Sequence, residues 1–303
     1  MKRGFIFLLF SFFICGLIWS QLEDSGHREA LRQLSLRAEE GDSVALYQLA
    51  RLHDTGYDSI AVDSLRSSAL YLISARKGYA PARNFIGFRY YKGEALNKDI
   101  DSALYWIRLA ADEGDITAAA NLGYLLLDSD DIPHDTVEGA RWIEIAARAG
   151  VREAQIKFVE LNRDNWKTLP PDSALHLGVE FYTRNTPITG VALLEIAAEA
   201  RIPRALALLG DAYSKGLGVP YSHQLSLDYF HQAARLGDPS AQFIVAELLD
   251  IFPEADFSDK DSGEEVSGED SGEPEESAAF WYEKAAAQGV TSSEEAYSRL
   301  FEY

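Results

Sequence analysis

Two alanines, two variable residues and a glycine recur along the chain at a fixed spacing, and that spacing limits the fold more than any other feature. The ending stands at Ala110-Ala111-Asp112-Glu113-Gly114, Ala146-Ala147-Arg148-Ala149-Gly150, Ala233-Ala234-Arg235-Leu236-Gly237 and Ala285-Ala286-Ala287-Gln288-Gly289. Ser74-Ala75-Arg76-Lys77-Gly78 is a weaker copy, and Ala197-Ala198-Glu199-Ala200-Arg201 has lost its glycine. From 78 to 114, 114 to 150 and 201 to 237 the period is 36 residues, while the other two gaps, 51 and 52, are one period plus an insertion. A period of this size marks a solenoid, in which each unit buries its apolar face only against its neighbours.

Each copy carries two helical stripes. Eight residues before each ending stand Leu70, Trp106, Trp142, Leu193, Tyr229 and Trp281, and one turn later come Ser74, Ala110, Ala146, Ala197, Ala233 and Ala285. A large residue one turn from a small one lets a neighbouring helix approach over the small residue while the large one fills the space beside it. The glycine then supplies the left-handed residue that ends the helix. Four residues after each ending a second small seam begins at Ala45, Ala82, Ala118, Ala154, Ala205 and Ala241, followed by Leu-Gly or similar pairs such as Leu122-Gly123 and Leu209-Gly210. Each unit is therefore a helical hairpin, and the expected fold is all-α: an α/α solenoid of stacked hairpins.

These positions resemble the Sel1-like repeat family, a relative of the tetratricopeptide repeats. The fullest match runs from Ala205 to Gly237 through Leu209-Gly210, Tyr213, Gly216, Gly218 and Val219, followed by Ala82 to Gly114 with Gly87, Tyr90, Gly93, Ala103 and Trp106. The resemblance covers roughly residues 41–290. It implies a right-handed α/α solenoid and a scaffold that binds a protein or peptide, as tetratricopeptide relatives do, in a concave groove lined by the first helix of each hairpin. Carried over position by position, that groove is lined by Tyr47 and Arg51; Asn84, Phe88 and Tyr91; Tyr124; Glu160 and Arg163; Tyr182; Arg204 and Asp211; and Phe243 and Glu247. Aromatic, arginine and carboxylate side chains include the types that most often dominate binding energy. Some exported relatives staple each hairpin with a disulfide; Cys15 is the only cysteine here, so this chain relies on packing.

Residues 1–20 read as an export signal, Lys2 and Arg3 preceding an apolar run from Gly4 to Trp19. An uncleaved membrane anchor is the alternative, since the run is at the short edge of what spans a bilayer. Residues 21–40 form a lead-in helix with Leu31, Leu34 and Ala38 on its apolar side, and 291–303 a C-terminal capping helix. Ser173, Leu177-Gly178 and Phe181 repeat the first-helix order, which makes residues 151–168 an extra half-unit ending at Pro170-Pro171. Asp172-Ser173 also resembles the start of a second-type helix, like Asp63-Ser64, Asp101-Ser102 and Asp135-Thr136. Such pairs are read as helix caps, with sugar attachment to the hydroxyl as the sharper alternative.

Residues 253–277 hold eleven acidic residues against Lys260, about half of the net charge of −20. This stretch is expected to be a disordered loop joining the helices of the last hairpin. Asp259 and Asp261 are spaced like the first two ligands of an EF-hand, but Gly263 and Glu264 break the pattern. No metalloprotease, phosphate-loop or dinucleotide motif occurs, and the six histidines are scattered. Ser74-Ala75-Arg76-Lys77 fits S-x-x-K, yet Ser74 holds a packing position and no companion motif accompanies it. The expectations are accordingly no catalytic residue, no cofactor and no metal, and the acidic balance argues against a nucleic-acid partner. A protein or peptide scaffold in the periplasm or cell envelope is the first reading; a glycan-binding or hydrolase-associated envelope protein and a structural assembly component are its rivals.

Overall fold

The small residues of the repeat dictate where helices meet, and the computed structural model, which describes residues 26–57, 60–251 and 277–292, shows the result. Among these residues are fourteen helices: α1 (Gly26–Glu39), α2 (Ser43–Thr55), α3 (Ser64–Arg76), α4 (Ala80–Lys92), α5 (Ile100–Asp112), α6 (Ile116–Asp128), α7 (Thr136–Arg148), α8 (Arg152–Trp166), α9 (Pro171–Thr183), α10 (Pro187–Glu199), α11 (Pro203–Lys215), α12 (His223–Arg235), α13 (Pro239–Ile251) and α14 (Ala278–Ala287). The export segment, the acidic stretch apart from Ser277 and residues 293–303 lie outside the described residues. The fold is the all-α solenoid of stacked helical hairpins. Contacts divide the chain into two units, Met1–Ala154 and Gln155–Tyr303.

In the first unit α2 pairs with α3, α4 with α5 and α6 with α7, and α1 packs on α2. Ala45, Ala82 and Ala118 of the first helices and Ala110 and Ala146 of the second are fully buried, as are Tyr71, Ile107 and Ile143. The glycine of each Leu-Gly or Ile-Gly pair sets the hairpin separation: a Cβ on Gly123 would lie 2.8 Å from Ile143, and one on Gly87 would lie 2.5 Å from Ile107. In the first hairpin Ala50 takes the glycine's place opposite Tyr71. Helix ends follow local chemistry. Asp42, Asp63, Asp115 and Asp135 accept backbone amides at the starts of α2, α3, α6 and α7, while Gly78, Gly114 and Gly150 lie in the left-handed region after the helix ends. The pair Asp101-Ser102 is not a cap. Asp99 caps α5, and Ser102 already lies inside the first turn, its amide and its hydroxyl both donating to Asp99.

In the second unit α9 pairs with α10, α11 with α12 and α13 with α14. The same close approach recurs, with Gly178 against Leu194 and Gly210 against Phe230. Helix α8 joins this unit through Phe158, whose ring meets Trp166 at 5.6 Å and Phe181 at 6.3 Å, and through Gln155, which accepts the Ile188 amide at 3.2 Å. Trp281 and Tyr282 of α14 close the core over Phe230, Ala233 and Val245. Where the repeat has lost its glycine, Arg201 itself adopts a positive φ of 58°.

Candidate partner-binding faces

In the first unit the first helices α2, α4 and α6 carry a half-buried row of polar and aromatic side chains. Tyr47 meets Tyr71 edge-on at 5.4 Å and Tyr79 at 5.1 Å. Arg51 hydrogen-bonds Tyr47 and exerts its charge on Tyr79, while Asp115, the cap of α6, acts on both tyrosines. Burial pushes the Tyr47 and Tyr79 hydroxyls upward, and burial also raises the Asp115 carboxyl although the Ala118 and Thr117 amides pull it down. Asn121 Nδ2 donates to Asn84 Oδ1 at 3.2 Å, joining α6 to α4. Phe88 and Tyr91 pack on the core of the second and third hairpins, and the Tyr91 hydroxyl pairs with the buried Ser129 at 2.9 Å. Tyr124 stands half-buried one turn after Asn121.

In the second unit the Tyr182 hydroxyl donates to Asp211 Oδ2 at 3.0 Å, linking α9 to α11, and Asp211 also pairs with Lys215 at 2.6 Å. Burial, followed by the Asp211 bond, raises the Tyr182 hydroxyl. Phe243 is spent on packing, 5.8 Å from Tyr282. Glu160, Arg163, Arg204 and Glu247 are exposed. Arg163 exerts its charge on Glu195 of α10, a carboxyl raised mainly by burial.

The sequence reasoning brought Asn84, Tyr182 and Asp211 into view but missed Asn121, Tyr79, Asp115 and Glu195. It also missed a buried polar cluster between α2, α3 and α4. Asp54 binds Arg89 and accepts the Ser67 hydroxyl at 2.7 Å and the Tyr71 hydroxyl at 3.3 Å, and Arg89 donates to Ser68 at 3.2 Å. The visible signal is substitution within the repeat: Ser67-Ser68 stand where Ala103-Leu104 stand one period later, and Arg89 where Leu125 stands. Ser74 of the S-x-x-K tetrad is fully buried and donates to the Ser43 carbonyl at 2.6 Å, which leaves its oxygen no approach to a substrate. No group of three or more potential metal ligands occurs among the described residues.

The Sel1 repeat model matches residues 43–79, 80–115, 116–151, 203–238 and 269–290, more than half of the chain. The chain belongs to the Sel1 repeat family. Sel1 repeats generally mediate protein–protein interaction. An uncharacterised protein of Neisseria meningitidis is 27% identical to this Sel1 chain over 172 residues, 57% of the chain and 32% of that protein. The chitin synthase regulator SKT5 of Saccharomyces cerevisiae is 29% identical over 129 residues, 41% of the chain and 18% of that protein. The chain thus spans about a third or less of the length of these relatives. Among solved structures, a protective antigen of uropathogenic Escherichia coli superposes with TM-score 0.38 at 23% identity, covering 90% of this chain and 59% of that one. A Sel1 repeat protein of Oxalobacter formigenes superposes with TM-score 0.39 at 22% identity, covering 92% and 83%. The family assignment rests on the repeat match and the hairpins themselves.

Proposed function

We propose that this Sel1 repeat chain is an exported, non-enzymatic scaffold that holds a protein or peptide partner on the face built by the first helices of its hairpins. The observation that carries this reading is the Asn84–Asn121 pair. Each amide uses one group on the other, and Asn84 Nδ2 and Asn121 Oδ1 have no partner among the described residues. A donor and an acceptor side by side, with Phe88 and Tyr124 nearby on the same helices, fit the N–H and C=O of an extended peptide. Export rests on the charged start and apolar run of residues 1–20. The yeast relative, a chitin synthase regulator, acts on another protein, which is a role of the same class.

The test is photo-crosslinking in intact cells with the full chain, comparing wild type with the double variant Asn84→Ala/Asn121→Ala. Loss of one specific crosslinked protein, with helicity unchanged by circular dichroism, supports the reading. Identical crosslinks in both chains would move the partner off this face.

A further inference from the structure

The outward side of α5 carries a face that the first-helix row does not use and that meets the hairpin core only at its edge, where Leu104 packs on the core of the second and third hairpins. Asp101, Leu104, Tyr105, Arg108, Leu109 and Asp112 line an open furrow of about 420 Å³. Tyr105 is 60% exposed, its ring meeting Trp106 edge-on at 5.1 Å. The charge of Arg108 is already answered, since its guanidinium forks onto Glu138 of α7 at 3.1 and 2.8 Å. Asp101 and Asp112 differ: both are exposed, and neither carboxylate has a hydrogen bond or ion pair among the described residues. They stand eleven residues apart, three turns along one side of the helix and roughly 16 Å along its axis. Exposed aliphatic residues stand at the equivalent places one period to either side of Asp101, at Leu65 of α3 and Val137 of α7, 72% and 82% exposed.

We propose that this furrow docks a basic amphipathic helix of a partner protein. Two unanswered carboxylates at the ends of an aromatic and aliphatic strip are complementary to a helix with lysine or arginine at matching ends and aliphatic side chains between them. A second copy of this chain is the poorer occupant, because it brings the same two carboxylates and a net charge of −20. The proposal is independent of the first-helix face.

The probe is a fluorescently labelled helical peptide with two lysines eleven residues apart and leucines on the face between, titrated against the full chain and read by anisotropy. The expected result is saturable binding, weakened about fivefold or more by Tyr105→Ala and by Asp101→Asn/Asp112→Asn. Asn84→Ala/Asn121→Ala leaves it unchanged. A control peptide with glutamates in place of the lysines does not bind. Absence of binding by the lysine peptide, equal binding by the carboxamide variant, or equal weakening by the Asn84/Asn121 variant overturns the proposal. So does a dimer in sedimentation that Tyr105→Ala dissolves, which would give the furrow to a second copy.

Discussion

Arg201 occupies a backbone position that its repeat equivalents leave to glycine. Gly114, Gly150 and Gly237 follow their helices with φ of 91°, 92° and 96°, and Arg201 does so with a side chain attached. A Cβ in the left-handed region costs about 1–2 kcal/mol, part of which a glycine gives back through its freer unfolded state. Arg201→Gly should therefore stabilise the chain by about 0.5–1 kcal/mol in denaturant unfolding. An unchanged or lowered midpoint would mean that Arg201 contributes contacts that outweigh the strain. At this scale the alanine seams and terminal glycines were legible, because each answers a requirement of its own helix. Glu195 and Asp115 were not: their raised carboxyls arise from burial in the folded chain, which no local pattern records.

Between helices, the first hairpin of this chain departs from its own repeat. Where Ala103, Leu104 and Leu125 make a dry seam in the second and third hairpins, Ser67, Ser68 and Arg89 enclose Asp54. The side chains of Arg89 and Asp54 are only 9% and 15% exposed, so removing one partner strands the other charge. Arg89→Met should cost about 3 kcal/mol or more, and adding Asp54→Leu to it should restore much of the loss. If the double variant is as unstable as the single one, the serine and tyrosine hydroxyls around Asp54 matter more than the ion pair. The period exposed the hairpins because it is written in residues that every copy shares. The candidate faces were only partly legible for the opposite reason. Tyr182 reaches Asp211 across 29 positions and Asn84 reaches Asn121 across 37, so neither pair stands at equivalent places in two copies. The first-turn geometry of α5 was misjudged for a similar cause: Asp99 and Asp101 are both plausible caps by type, and only the path of the chain selects the earlier one.

For the molecule as a whole, 48 acidic residues against 28 basic ones leave an excess that folding concentrates. Self-repulsion of this kind weakens as ions screen it over about 10 Å at 0.1 M salt. The melting temperature should therefore rise between low and physiological ionic strength, and replacing the acidic residues of 253–277 by their amides should flatten that rise. A melting temperature indifferent to salt would show that the charges are locally matched. The shared glycine slot has a further consequence, which concerns descent. In hairpin after hairpin one residue without a side chain faces one bulky partner: Gly123 with Ile143, Gly178 with Leu194, Gly210 with Phe230. Neither can change alone without either a clash or a void, so across the descendants of this chain the two positions should mutate as a couple, and a hairpin copied whole into a neighbouring place should arrive already fitted.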